Sequence, residues 1–359
     1  MRKVTVGLVA LVAAGFSAAS AGAVEIESKA EKITITGRVQ TMWYTSSIKR
    51  DPGNEFLVRR ARMALKVKVN KWIGGIVEPD FAAGGGKVDL KDCYVKMSPN
   101  ENLDIIMGQT KRRFDLFELT SSTQILVIER DGRIGRRKVP SLSTFTEGAG
   151  YADRDVGLFV MAHDSKERFN FEGGVTNGAG ANEKPTIGAK AFQGRMSMKP
   201  MEKTDLMFNL GVSAKPQQTV NVASDTSTAY NAALELSLEY GNFNTGPHVQ
   251  AGLVAGDNPG TYSAATDDFK SLTSFQVIGS YKKALQNNRW FESFEPLLRV
   301  SYADPNTDDA DDGGILLTPG INLFAVNRTR LSANIDIFTP QASGADTEYS
   351  FKAASWLYF

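Results

Sequence analysis

Residues 56–70 read Phe-Leu-Val-Arg-Arg-Ala-Arg-Met-Ala-Leu-Lys-Val-Lys-Val-Asn. From residue 60 the even positions are Arg60, Arg62, Ala64, Lys66, Lys68 and Asn70, and the odd ones are Ala61, Met63, Leu65, Val67 and Val69. A period of two with opposite chemistries marks a strand with one wet face and one oily face. The pattern recurs at Tyr230 to Tyr240, where Leu234, Leu236 and Leu238 alternate with Glu235, Ser237 and Glu239, and at Thr329 to Phe338, where Leu331, Ile335 and Ile337 alternate with Arg330, Asn334 and Asp336. Helical periodicity is almost absent. Polar in and apolar out at this period is the pattern of a transmembrane barrel.

Segmentation on this basis predicts an all-β chain with strands at 33–46, 56–70, 72–81, 89–98, 103–109, 153–163, 168–176, 189–200, 204–213, 229–240, 247–255, 272–283, 294–303, 314–325, 328–338 and 350–359. That makes about 16 antiparallel strands, an even number as single-chain bacterial barrels require. Tight turns such as Asn70-Lys71 and Val326-Asn327 alternate with long loops near 47–55, 82–88, 110–152, 177–188, 214–228, 256–271, 304–313 and 339–349. Short turns on the periplasmic side and long extracellular loops are the asymmetry expected of such a barrel.

The two ends carry the same message. Arg2 and Lys3, an apolar stretch from Val4 to Phe16 and the small residues Ala21-Gly22-Ala23 read as a signal peptide over 1–23. A short periplasmic segment at 24–32 then precedes a barrel over 33–359, and the bacterial outer membrane is the expected location. The chain closes on Trp356-Leu357-Tyr358-Phe359, a final strand ending on an aromatic residue, as outer-membrane barrels do. Beyond the signal no run of eighteen apolar residues could cross a bilayer as a helix, and lipid leaves a closed barrel as the other way to pair every backbone amide. A soluble β-sandwich shares the alternation. The loop rhythm, the signal, Phe359 and the interface-type aromatics Trp43, Tyr44, Tyr281, Tyr302, Trp356 and Tyr358 argue for the barrel.

Composition excludes more than it selects. The chain has 41 Lys+Arg and 40 Asp+Glu, and without Arg2 and Lys3 its formal charge of +1 falls by two to −1, so nothing points to a nucleic-acid partner. One cysteine, Cys93, rules out an internal disulfide, and His163 and His248 offer little for a metal site or a catalytic base. No cofactor, metal or catalytic residue is expected. A barrel hydrolase would need a serine beside one of these histidines, and both sit at short-turn ends of strands.

Loop 3, from Thr110 to Ala152, is too long for a structureless connection and is expected to fold into the lumen and narrow it. It carries Lys111, Arg112, Arg113, Arg130, Arg133, Arg136, Arg137 and Lys138 against Asp115, Glu118, Glu129, Asp131 and Glu147. The wet face of the second strand adds Arg60, Arg62, Lys66 and Lys68 at steps of about 6.5 Å. Cations so spaced can pass an anion from site to site, and guanidinium forks suit phosphate and carboxylate oxygens. Three readings stay open: selective anion passage, a general pore with a mixed-charge lining, and pairing with Glu78, Asp80 and Asp92 on neighbouring strands or with lipopolysaccharide phosphates outside.

Phe56-Leu57-Val58-Arg59-Arg60-Ala61-Arg62, Val77-Glu78-Pro79-Asp80-Phe81, Leu90-Lys91-Asp92-Cys93-Tyr94-Val95, Met107-Gly108-Gln109, Glu118-Leu119-Thr120-Ser121-Ser122 and Ile128-Glu129-Arg130 together resemble the phosphate-selective porin O and P family. Arg154-Asp155-Val156-Gly157 and Gly174-Val175-Thr176-Asn177-Gly178 look like its middle strands, so the resemblance spans roughly 35–180. It implies a sixteen-stranded homotrimeric porin in outer-membrane lipid and lipopolysaccharide, passing inorganic, phosphate-like anions. The narrow zone of that family is similar to Arg59, Arg60, Asp92, Ser121 and Ser122 here, whereas its loop lysine has only displaced counterparts in Lys111 and Lys138. Strict alternation turns Arg59 outward, so either a bulge or a rim position must account for it.

Two minor features are weaker. Asp304, Asp308, Asp309, Asp311 and Asp312 crowd one outer loop, as a solvated face or a calcium site, and Gly84-Gly85-Gly86 lacks the helix that a phosphate cradle needs.

Overall fold

A computed structural model describes residues 29–48, 53–82, 87–201, 204–220, 226–263, 265–266 and 268–359. The signal expected at 1–23, the glycines at 84–86 and the first residues of the 24–32 segment lie outside the described residues.

The strands are β1 (Lys32–Ser46), β2 (Asn54–Lys68), β3 (Ile73–Asp80), β4 (Asp89–Asn100), β5 (Leu103–Lys111), β6 (Gly132–Ile134), β7 (Arg137–Val139), β8 (Arg154–His163), β9 (Phe169–Thr176), β10 (Ala191–Met198), β11 (Leu206–Val220), β12 (Thr226–Gly241), β13 (Gly246–Ser263), β14 (Asp268–Ala284), β15 (Ser293–Asp304), β16 (Gly314–Val326), β17 (Thr329–Pro340) and β18 (Glu348–Tyr358). All but β6 and β7 form one closed barrel of sixteen antiparallel strands, each beside its neighbour in sequence, with β1 against β18. Between β5 and β8 the third long loop contains two short helices, α1 (Leu116–Leu119) and α2 (Leu142–Gly148), and the β6–β7 hairpin.

The alternation has the expected polarity. On β12 Asn231 and Glu235 are buried inside while Leu234 and Leu236 stand outside, and on β17 Arg330, Asn334 and Asp336 point in while Leu331 and Ile335 point out. The seam closes where Phe359 and Gly37 exchange backbone hydrogen bonds of 3.1 and 2.7 Å. The Phe359 ring lies over Gly37, where a Cβ would come within 2.2 Å of it, so the missing side chain makes room for the terminal aromatic.

Three expectations need correction. The loops placed at 214–228 and 256–271 are mostly strand, because β11–β12 pairing continues to Val220↔Thr226 and β13–β14 pairing to Ser263↔Asp268. Beyond the lipid both faces of a hairpin meet water, so apolar alternation fades before the hydrogen-bond ladder does. The segment assigned to 24–32 gives up Lys32, which already pairs with Lys68. Of the aromatics placed at the membrane interface, Tyr44, Trp356 and Tyr358 share the inward parity: Tyr44 and Trp356 are buried against Ile125 and Ile128 of the loop, and Tyr358 stacks on Trp356 at 6.3 Å. Trp43 does lie outside, between Phe56 (6.1 Å) and Phe351 (5.8 Å).

Arg59 sits in a β-bulge. Gln40 pairs with Arg60 but Thr41 with Val58, so Arg59 is the extra residue and parity inverts across it. Arg59 and Arg60 therefore both reach Glu129 of the loop, while Phe56 and Val58 take the outer face.

Candidate functional site: the lumen beside loop 3

Loop 3 folds into the barrel and binds one side of its wall. Phe114, Phe117, Leu126, Val127, Leu142 and Tyr151 pack on Ala233, Val254, Leu272, Ile278 and Leu297 of β12 to β15. Ile134 and Val139 of the hairpin pack on Leu316 and Phe338 of β16 and β17. Each large side chain so buried contributes roughly 1.5–3 kcal/mol.

The loop's backbone is satisfied by polar side chains that the wall presents inward. Glu235 accepts the N–H groups of Asp115 (2.8 Å) and Leu116 (2.9 Å) at the start of α1, and Asn334 accepts that of Ile128 (2.7 Å). Asn322 donates to the Leu126 carbonyl (2.9 Å), and Arg299 donates to those of Glu129 (3.0 Å) and Arg130 (2.8 Å). A buried loop is tolerable only with such partners.

Asp115 carries the loop's titratable element. Burial, with the Glu235 carboxylate beside it, pushes its carboxyl up to about 7, although the Thr146 hydroxyl and the Phe117 N–H donate to it. An acid whose folded value is raised stabilises the docked loop fully below its free value near 4 and loses that contribution as pH rises through 7. The protection of amides 114–119, taken relative to their intrinsic exchange rate at each pH, is therefore expected to be lower at pH 8 than at pH 5.5, with that loss of protection abolished in Asp115→Asn.

With loop 3 held against β12 to β18 and β1, the opposite side stays open. A cavity of about 390 Å³ lies between the loop and strands β1 to β5 and β8, lined by seven cationic side chains, Arg38, Arg62, Lys96, Lys111, Arg113, Arg130 and Arg154, and three acidic ones, Glu78, Asp92 and Asp104. Each acid holds a cation: Glu78 holds Arg38 (2.6 Å) and, at 3.7 Å, Arg62; Asp92 holds Arg154 (2.8 Å); Asp104 holds Lys96 (3.1 Å). From just behind the lining Asp80 takes Arg62 (2.6 Å), and Glu118 faces Lys111 (3.6 Å) and Arg130 (3.7 Å). Lys111 and Arg130 also donate to loop carbonyls, at 3.2 Å to Thr120 and 2.9 Å to Phe117. Arg113 differs. Among the described residues no carboxylate lies within ion-pair distance of it, and its guanidinium rests 5.6 Å from the Phe159 ring centroid.

Of the residues singled out from sequence, Arg62, Asp92, Lys111, Arg113, Ser121, Ser122 and Arg130 line this cavity, and Ser122 Oγ accepts from Arg62 at 3.4 Å. The others lie elsewhere. Arg60 is buried beside Gln40 and Glu129, and Arg59 pairs with Glu129. Arg112 turns to Ser213 of the far wall (3.2 Å), and Arg133 to Asp131 (2.8 Å). Lys66 and Lys68 are exposed at the short-turn end, with Lys68 3.0 Å from Glu31. The expected ladder Arg60, Arg62, Lys66, Lys68 is thus no continuous row of free cations, because the bulge and the loop carboxylate remove its upper rung.

Sequence reasoning missed Arg38, Lys96 and Arg154. Arg38 and Lys96 occupy inward positions of alternating strands, Thr34-Thr36-Arg38-Gln40 and Asp92-Tyr94-Lys96, and extending the test applied to β2 would have found them. No local pattern marks Arg154. Outside this cavity, Lys138 pairs with Glu147 (2.9 Å), Lys270 with Asp308 (2.6 Å), and His248 with Glu239 (2.9 Å). Cys93 pairs in register with outward Val77 and is a free thiol.

A sixteen-strand barrel, oily outside and polar inside, with its third loop folded into the lumen, is an outer-membrane channel of the porin class. The chain belongs to the phosphate-selective porin O and P family, which matches it over residues 33–264. By sequence, no curated protein matches it. Similar solved structures include OmpT, an outer membrane protein of Vibrio cholerae, in its trimer form, with TM-score 0.61 and 12% identity over 91% of this chain and 99% of that one. The outer membrane channel DcaP of Acinetobacter baumannii gives 0.62 and 12% over 90% and 97%. Pseudomonas putida OprB gives 0.61 and 10% over 92% and 94%. Such identities speak for a common fold alone.

Proposed function

We propose that this porin passes small oxyanions, phosphate among them, by passive diffusion through the 390 Å³ cavity, which loop 3 constricts. The observation that carries the reading is the lining itself: seven cations against three acids in the lining and two more, Asp80 and Glu118, just behind it, with Arg113 left without a carboxylate partner among the described residues. Paired cations hold their position, and the surplus sets the sign of the field an ion meets. The Arg62, Arg113 and Arg130 forks and the Ser121 and Ser122 hydroxyls supply hydrogen bonds that replace an anion's hydration shell while leaving it free to move on. Export by a signal at 1–23, assembly as a homotrimer and contact with lipopolysaccharide belong to the same reading. The trimer is supported by the trimer form of the Vibrio cholerae relative.

A general, weakly selective pore is the second reading, favoured by the ion pairs of Arg38, Arg62, Lys96 and Arg154, which neutralise much of the lining. A single-channel recording in a salt gradient separates the two. Anion preference is expected to give a reversal potential on the anion side and a chloride current that falls when phosphate is added. A cation-side potential sinks the selectivity, and an undiminished current removes phosphate from it.

A further inference from the structure

On the other flank of loop 3, at the short-turn end of the barrel, a second cavity of about 150 Å³ lies against the inner wall. At about 30 Å³ per water it holds roughly five waters, room for one small oxyanion with part of its hydration. Lys282 of β14 and Arg328 and Arg330 at the β16–β17 turn line it, with Glu295 of β15 as its acid. Among the described residues none of the three cations is within 4 Å of a carboxylate. Glu295 is engaged instead by Ser280 (3.1 Å) and Asn322 (2.9 Å).

This departs from the rest of the wall. Arg195 is matched by Glu235 at 2.6 Å, and Arg299 and Lys352 share Asp336. Arg330 is just as deeply buried, at 3% exposure, yet it has only the Ile125 carbonyl (2.7 Å) and the faces of Phe324 and Trp356, and its Nε has no partner. Lys282 Nζ rests 3.6 Å from the Phe324 ring centroid and donates to the Phe243 carbonyl (3.3 Å), while Arg328 donates to the Thr123 hydroxyl (2.7 Å). Arg330 is the buried member of the three, with Lys282 partly buried and Arg328 exposed beside it. A buried cation without a counter-charge is costly, and with two further cations around the same polar cavity the group calls for an anion.

We infer that this cavity is a binding site for a small tetrahedral oxyanion of the phosphate or sulfate class, separate from the passage beside Arg113. Two guanidinium groups from the β16–β17 turn and one ammonium from the end of β14 present donors, and three positive charges face a dianion. The site lies within the barrel at the periplasmic mouth, so its ligand is a dissolved anion and not a lipid headgroup. The inference does not depend on the selectivity of the passage.

Crystals of the full-length protein soaked in selenate, read by selenium anomalous scattering, test it. A peak is expected within hydrogen-bond reach of Lys282, Arg328 and Arg330, and calorimetric titration with phosphate should show at least tenfold weaker binding at this site in Lys282→Gln and in Arg328→Gln. Both variants leave Arg330 and its contacts to the loop intact. No peak at 100 mM selenate overturns the inference, as does a peak that is unchanged in both variants. A peak here with none beside Arg113 would count against the proposed passage and not against this site.

Discussion

With alanine at position 336, loop 3 is expected to lose its hold on the β15–β18 wall at a cost on the order of 3–5 kcal/mol. Asp336 is 2% exposed and is shared by two buried cations, Arg299 at 3.1 Å and Lys352 in closer contact, with the Thr318 hydroxyl donating to it as well. Those cations in turn hold the loop. Arg299 donates to the carbonyls of Glu129 and Arg130, and Lys352 to that of Arg133 (2.8 Å). Removing the carboxylate leaves two buried positive charges facing each other, and they can be relieved only by admitting water beneath the loop. The strand ladder is untouched, so strand content should remain while single-channel current becomes larger and noisier and loop 3 becomes open to proteolysis. Wild-type conductance together with a wild-type unfolding temperature would refute this role.

Charge reversal at Arg113 is expected to produce the largest change in ion preference of any single substitution. A unit charge acts on an ion 4 Å away with about 1 kcal/mol in bulk water and about 4 kcal/mol near a protein surface. Arg113→Glu changes the charge by two units, at least about 2 kcal/mol, or roughly 30-fold in local anion concentration. No neighbouring acid shares the effect, because Arg113 has no ion-pair partner among the described residues. Reversal at Lys270 should leave the reversal potential in place, since that residue is half exposed near the long-loop end of β14, pairs with Asp308 of an outer loop and does not line the cavity. Equal shifts for the two variants would show that the lining beside loop 3 does not govern selectivity. Arg60→Glu is a poorer probe than its sequence position suggests, because Arg60 is buried on Glu129 and its reversal would undo the bulge rather than recolour the channel.

The family resemblance and the alternation converge on the same half of the chain for a physical reason. Strands β1 to β5 and β8 frame the open side of the lumen, so the inward positions there face solvent and carry the residue types a channel requires. Seven of the thirteen residues singled out beforehand line the cavity, and the ones that do not are informative. Arg112 and Arg133 lie on loop 3, where no period exists to say which way a side chain turns; one spans to Ser213 and the other folds back on Asp131. Lys66 and Lys68 obey the alternation but lie past the cavity, because the rise along a strand carries them toward the turn.

The amino-acid sequence by itself determined the barrel: its strand number, the face each strand shows to lipid, the long loop destined for the lumen, and the parity that sets Lys352 and Trp356 against Phe351, Leu357 and Phe359. These follow from local patterns, since a period of two is written into every strand regardless of its neighbours. The tertiary structure alone decided which inward residues meet water. Arg299, Asn322, Arg330, Asn334 and Lys352 have the same alternation as Arg38 and Arg62, yet they serve as anchors for loop 3, each donating to or accepting from its backbone. Alternation distinguishes inside from outside. Whether the inside is channel or contact depends on where a loop distant in sequence comes to rest, and that is set by the apolar patches and paired charges it finds on the opposite wall.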